Sequence, residues 1–287
     1  MSTQITTAMV EQYSSNVQIL MQQKDSRLAP LVRVETSVRG KNAFFDQLNA
    51  TAAVKRTNRH ADTPLVSTPH LRRRVSLYDY DWADLVDNMD VQKVLTDPAS
   101  NYAINARNAM NRSKDDEIIA AFLATAYGGV DGSTSYAFDS SYNVVAAASA
   151  GLTLAKLRSA KQILDGNEVD DEDRFCVIGS KQLQDLLGTT EVTSADYNTV
   201  KALVNGQVDT FLGFKFVRSE RLALSSTTRK CIAGQKNSIL LAIGIDITTD
   251  VGPRRDKNMA TQVYLGMSIG ATRMDEDGIV EIDCIES

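Results

Sequence analysis

Histidine is scarce in this 287-residue chain: His60 and His70 are the only two, and cysteine (three), proline (five) and tryptophan (one) are nearly as rare. Both histidines fall in one polar, basic segment, which leaves neither zinc-ligand spacing nor an acid–base pair for a pocket. Cys176, Cys231 and Cys284 are odd in number and far apart along the chain, so no disulfide framework and no CxxC metal pair can be built from them. They read as reduced, packed thiols. Positive charge is also short: 31 Lys and Arg stand against 36 Asp and Glu, a net charge of −5. That balance argues against coating nucleic acid through an overall positive field, and any DNA contact must be local or weak. No apolar run reaches the ~18 residues needed to span a bilayer, and the first residues lack a basic n-region followed by an apolar h-region. The expectation is a soluble product of a reducing cytoplasm. Neither GxxxxGK[ST] nor GxGxxG is present.

What the chain does have is 43% hydrophobic residues, enough for a genuine core, and one long helical stretch at residues 97–129. Asp97 offers an N-cap oxygen, Pro98 sits where a missing N–H costs nothing, and Gly128-Gly129 supplies a stop. Tyr102, Ala106, Ala109, Met110, Ile118, Ile119, Phe122, Leu123 and Ala126 recur at three- and four-residue spacing, with Arg107, Arg112, Lys114, Asp115 and Glu117 mostly between them. The spacing predicts a spine helix over about 98–127, a rod of about 45 Å at ~1.5 Å rise per residue.

On the N-terminal side, Ile5, Met9, Tyr13, Val17, Leu20 and Met21 form an amphipathic stripe that Pro30 ends. Its partner is either its own domain or a neighbouring chain. In residues 31–80, Val32, Val34 and Val38 alternate with polar residues before FFDQL and a basic segment holding Lys55, Arg56, Arg59, Arg72, Arg73 and Arg74. Pro64 and Pro69 bracket LVSTP, as at the tip or flank of a hairpin, because proline tolerates edges and turns. Two extended strands with so little of their own to bury need another surface to lie on, expected to be another subunit. Residues 77–90 carry Trp82 and lead through VQKVL, a predicted short helix, to the spine, and residues 130–149 read as a loop with room for a weak hairpin.

Next comes an α/β module: LTLAKLRSAKQILDG (helix), FCVIG (buried strand), SKQLQDLLG (helix), YNTVKALVNG (helix) and FLGFKFVRSERL (strand). The chain closes with SILLAIGIDITTD, MATQVYLGMSIGATRM and IVEIDCI; the last two read as a hairpin turning at Asp277-Gly278 and lying along the spine.

GMSIG matches the G-x-S-x-G nucleophile elbow, but the elbow needs a strand-to-helix turn and a following histidine, and Ser268 has neither. The acidic run from Asp165 through Glu168 to Asp173 lacks the glycine and ligand spacing of an EF-hand and reads as a solvated turn. Arg72-Arg73-Arg74 is the most basic run; acidic partners on a neighbouring copy suit it better than phosphate. With no convincing active site, the question shifts from chemistry to assembly.

The order of parts, with RHADTPLVSTPHLRRRVSLYDYDWADLVDNMDVQKVLTDP (59–98) and YLGMSIGATRMDEDGIVEIDCIE (264–286), resembles the HK97-like major capsid proteins of tailed bacteriophages. The resemblance implies an α+β fold with an N-arm (1–35), an E-loop (36–77), a P-domain (78–150 and 238–287) and an A-domain (151–237). It implies no enzyme and no cofactor, but a subunit that self-assembles through hexamers and pentamers into an icosahedral head, built in the host cytoplasm with no membrane. A portal and possible decoration proteins would join it, and the shell would enclose double-stranded DNA contacted only weakly. Starting with a short arm, the chain is expected to use a separate scaffolding protein. Contacts between subunits are expected from Phe44, Lys55, Arg56, Arg59, Arg72, Arg73 and Arg74 on the E-loop and from Met9, Tyr13, Val17 and Met21 on the N-arm. Arg254, Arg255, Asp275 and Glu276 are expected to add contacts from P-domain loops. Some members lock the shell with a Lys–Asn isopeptide bond; Lys41 and Lys55 carry no matching motif, and no cross-link is expected. The alternatives are the shell of a bacterial nanocompartment and a serine hydrolase using Ser268.

Overall fold

The computed structural model describes residues 22–59, 62–86, 98–188 and 210–286. In chain order its elements begin with β1 (Arg33–Thr36), β2 (Asn42–Leu48), β3 (His70–Ser76), β4 (Tyr78–Val86), α1 (Pro98–Leu123), β5 (Ala126–Gly128), β6 (Thr134–Tyr136) and β7 (Val144–Val145). They continue with α2 (Leu154–Gly166), β8 (Arg174–Ile178), α3 (Ser180–Leu187), β9 (Thr210–Phe211), β10 (Phe214–Arg218) and β11 (Leu224–Ser225). The chain closes through β12 (Thr228–Gln235), β13 (Ile239–Arg254), β14 (Ala260–Arg273) and β15 (Ile279–Ile285). The N-terminal stripe through Met21, the VQKVL helix and the YNTVKALVNG helix lie outside the described residues.

Two compact units emerge. One takes its described residues from 1–26, 79–113 and 245–268; the other, larger one from 27–78, 114–244 and 269–287. In the first, Tyr264 donates its hydroxyl to Asp81 Oδ1 at 2.5 Å, and Arg112 and Asn111 on α1 hold Gln22 Oε1 (2.6 Å) and the Lys24 carbonyl (3.0 Å).

The second unit is organised on a seven-stranded sheet of order β7-β15-β12-β8-β10-β9, with β11 on β12. β8 is buried at every position; its apolar run Phe175–Ile178 suits a central strand, and Arg174 at its start is buried with acidic partners. Thr153 caps α2 by accepting from the Lys156 N–H, and Leu154, Leu157, Ala160 and Leu164 make its buried face. Phe122 of α1 meets Phe175 of β8 with ring centroids 5.8 Å apart. The three cysteines are buried, free thiols. Pairing of Cys231 with Ile282, Arg229 with Cys284 and Ala233 with Cys176 sets them diagonally on one sheet face, a convergence hidden by their distance in sequence. The hydrogen bond to Cys284, then burial, pushes the Cys231 thiol well above its ordinary value.

The acidic turn after α2 has a partner that its composition did not reveal. Arg174, itself buried, pairs with Asp165 at 2.6 Å and Asp171 at 3.0 Å and donates to the Asp170 carbonyl at 2.8 Å. At the other end of the unit, Arg229 grips Glu286 with two hydrogen bonds of 2.8 and 3.1 Å, and Gln182 adds a third of 3.0 Å. The Arg229 bonds hold the Glu286 carboxyl below its ordinary range. A lowered carboxylate stabilises the fold above its unfolded pKa of about 4.3, and that contribution disappears as pH falls through the folded value. Glu286→Gln is therefore expected to cost on the order of 1 kcal/mol at pH 7 and nothing below the folded value, read from urea midpoints across that window.

Three local readings change in the structure. FLGFKFVRSERL is two short strands and not one: β9 and β10 pair through Phe211 and Phe214, and Leu212 (φ 53) and Gly213 (φ 85) form the turn. That turn needs φ > 0 at both central residues, which leucine resists. Leu212→Asn should stabilise the subunit by about 1 kcal/mol in denaturant titration. The spine ends at Leu123 and not at the glycine pair, because residues 126–128 are taken into β5 between β3 and β6. Gly128 is needed there for close approach: a Cβ would lie 2.2 Å from the Arg72 carbonyl oxygen. Lastly, β14 and β15 are not a hairpin; β14 pairs with β13 and β4, whereas β15 lies between β12 and β7. A two-residue type I′ turn would need Gly278 at positive φ, and Gly278 is not among the glycines that adopt it. It packs against Ser238 instead, whose carbonyl accepts from Met274 N at 2.8 Å.

Candidate functional site

The feature most suited to a function is the β2–β3 hairpin and the chain beyond it. Seven residue pairs, from Asn42 with Ser76 to Leu48 with His70, make an antiparallel ladder. One further bond, Asn49 N–H to the Pro69 carbonyl at 3.2 Å, closes it. Pro69 and Pro64 lack the N–H groups that would continue the ladder. Residues 49–59 and 62–69 accordingly have no helix or strand. Their apolar side chains are left in water: Leu65 is 97% exposed and Val54 59%. Every described residue of 49–69 is exposed, so the tip, unlike Val75 and Phe45 at the root, adds nothing to the chain's own core.

The root of the arm is built differently. Alternation along β3 turns Arg72 outward, where it pairs with its cross-strand neighbour Asp46 at 2.7 Å and lies 5.5 Å over Phe44. Arg74, half-buried, sits 5.0 Å over Tyr127, its partner across β5. Arg73 faces the opposite way with Val75 and is buried at 3% exposure. Its Nη2 donates to both Glu276 oxygens at 2.9 and 2.7 Å, its Nε to the Met274 carbonyl at 3.1 Å, and its guanidinium stacks 3.7 Å over Tyr136. Gln47 from β2 adds a 2.8 Å bond to the same Met274 carbonyl.

Behind Arg73 lies a second buried arginine. Arg273, at 0% exposure, donates Nη1 to the carbonyls of Phe122 and Ala124 and Nη2 to that of Tyr136, all between 2.9 and 3.0 Å. It thereby satisfies carbonyls that the end of α1 leaves open. Burial, the largest influence, lowers its pKa from the ordinary value; Glu276 opposes the shift and Arg73 adds to it.

The expected contact residues thus fall into different settings. Lys55, Arg56 and Arg59 are exposed on the arm, Arg56 donating to the Asn58 carbonyl at 2.8 Å. Phe44 is 40% exposed. Arg255 is exposed, and Arg254 pairs with Asp256 at 2.6 Å. Asp275 is exposed and accepts from the Asp277 N–H at 3.1 Å. Met9, Tyr13, Val17 and Met21 lie outside the described residues. Arg73 and Glu276, which the sequence places at a subunit contact, meet in one ion pair inside the chain. Arg273, absent from the expected set, is the member no local pattern marks, since the carbonyls it donates to lie more than a hundred residues away.

Ser268 lies half-buried in mid-β14, with no strand-to-helix turn around it. The glycine after it answers to packing: a Cβ on Gly270 would stand 2.1 Å from the Ser76 carbonyl oxygen. Among the described residues no helix is long and apolar enough to cross a membrane.

An extended hairpin with an exposed apolar tip is thus rooted on an α+β body by the Arg73–Glu276 ion pair. The chain belongs to the phage capsid protein family, whose model matches residues 5–286. It is a major capsid protein of the HK97-like fold, a subunit of the icosahedral head shell, and the virion capsid is its place. Among solved structures it superimposes on the capsid of Ralstonia phage GP4 with a TM-score of 0.74 at 12% identity, covering 96% of this chain and 95% of that one. For the capsid of cyanophage P-SCSP1u the TM-score is 0.73 at 16% identity, with 97% and 93% covered. For Mycobacterium phage Che8 it is 0.72 at 15%, with 95% and 96% covered. At these identities the likeness is one of fold. No curated protein matches the sequence. The nanocompartment and serine-hydrolase readings are not favoured by this membership.

Proposed function

We propose that the arm of residues 36–77 acts as an E-loop laid over an adjacent subunit, with residues 1–35 as N-arm, 78–150 and 238–287 as P-domain and 151–237 as A-domain. The exposed apolar tip, Leu65 above all, carries this reading. Phe44, Lys55, Arg56, Arg59, Arg72 and Arg74 supply the arm's contacts, joined by Arg254, Arg255 and Asp275 from the P-domain loops and by Met9, Tyr13, Val17 and Met21 from the N-arm. Spreading contacts over several neighbours lets individually modest interfaces add up in a closed shell of hexamers and pentamers. The protein works by association and not catalysis. It assembles in the host cytoplasm with a separate scaffolding protein and a portal, accepts decoration proteins where the phage encodes them, and encloses double-stranded DNA that it contacts weakly. Negative-stain microscopy of the expressed protein, alone and with co-expressed scaffold, tests this: shells, hexamers or sheets are expected, and a discrete small oligomer under both conditions would refute it.

A further inference from the structure

Arg73 and Arg273 bring two buried positive charges together, and Glu276 is the one carboxylate that pairs with either among the described residues. It binds Arg73 through both oxygens and stands 3.8 Å from Arg273 Nε, beyond hydrogen-bond length. Buried like charges repel in a medium of low dielectric, so neither guanidinium is well placed without the shared counter-charge. Each arginine has a different second task. Arg73, with Gln47, fixes the root of the β2–β3 hairpin to the Met274 carbonyl. Arg273 fixes the C-terminal end of α1 through Phe122 and Ala124, and β6 through Tyr136. The four-residue run 273–276 therefore touches both the arm and the spine. Besides these polar contacts the hairpin's root is held by two residue pairs between β3 and β5 and by Val75 and Phe45 packed against Leu240, Ala242 and Met274.

We infer that Glu276 is a positioning residue that couples the direction of the arm to the packing of the spine's end, through Arg73 on one side and Arg273 on the other. This goes beyond the assembly reading and stands on contacts within a single subunit. Loosening Glu276 must free both guanidinia at once, so the arm's root and the end of α1 should loosen together while the sheet core does not.

The test is hydrogen–deuterium exchange on the unassembled full-length subunit carrying Glu276→Gln, which keeps the shape and removes the charge. Exchange of amides in residues 42–48 and 70–76 and at 119–124 is expected to rise together by about tenfold, with β8 and β12 as protected as in the parent. Glu286→Gln, which breaks the separate pair with Arg229, should leave both regions unchanged. Should Glu276→Gln not give a folded subunit, Glu276→Asp, one methylene shorter, carries the same expectation. A rise confined to the arm or to the helix end, a rise shared by β8 and β12, or no rise would each overturn the coupling.

Discussion

Gly270→Ala is expected to destabilise the isolated subunit by about 3 kcal/mol, a large share of the roughly 5–15 kcal/mol that ordinarily holds a folded domain. Gly270 is buried in β14, and an added Cβ would meet the Ser76 carbonyl oxygen at 2.1 Å and its carbon at 3.0 Å. Both are backbone atoms that no rotamer change can move. Relief requires shifting β14 or the chain at Ser76, next to the cluster of Val75, Leu240, Ala242 and Met274. Gly252→Ala is the matched control: nothing lies within 4 Å of its Cβ position, so its effect should stay within about 0.5 kcal/mol. Urea midpoints of the unassembled proteins read the difference. Equal midpoints for the two variants would mean that β14 and Ser76 do not approach as closely as the structure shows. Ser268→Ala, two residues before Gly270, should cost little, because what the GMSIG run requires is its glycine's lack of a side chain.

The second large effect concerns the arm. Replacing residues 49–69 by Asn-Gly would close β2 onto β3 with a type I′ turn, because Leu48 and His70 are already paired. The deleted stretch includes Val54, Leu65 and Val66, exposed by 59%, 97% and 46%. Its loss should leave the subunit's thermal midpoint within about 2 °C of the parent, since exposed loops contribute little to global stability. Shell formation should fall to background in negative stain and sedimentation, because contacts that act multivalently fail together when one arm per subunit is lost. Shells of normal size from the shortened protein would place the essential contacts elsewhere. The Arg72-Arg73-Arg74 run makes a poorer tool for this question. Arg72→Ala removes an exposed pair with Asp46 worth less than about 1 kcal/mol, whereas Arg73→Ala leaves a half-buried Glu276 without its partner and damages the subunit itself.

Much of the architecture was legible because it depends on residues close in sequence. The three- and four-residue spacing of Ala106, Met110, Ile118 and Phe122 placed the spine, and those four residues are buried. Thr153 and the stripe behind it placed α2, and the apolar run in FCVIG placed β8. The poverty of apolar residues in 36–77 and its prolines pointed to a segment with little of its own to bury, and the described residues of 49–69 are exposed. Where readings changed, a competing long-range partner was the cause. Residues 126–128 had helical spacing but were drawn into β5 by β3, and IVEIDCI left its supposed hairpin because β12 offered seven pairs of register.

Local pattern and composition, then, determined by themselves most of the helices and strands, because periodicity, capping and turn chemistry act over a few residues. Only the tertiary structure decided which charges face outward. Arg72, Arg73 and Arg74 are indistinguishable as a tripeptide; pleat alternation and the arrival of Glu276, some two hundred residues later, separate an exposed pair from a buried one. Arg273 gave no sign at all, since the carbonyls it satisfies become neighbours only when β14 reaches the end of the spine. Burial of a charge is a property of distant chain segments meeting, and the free energy that decides it exists only in the assembled fold.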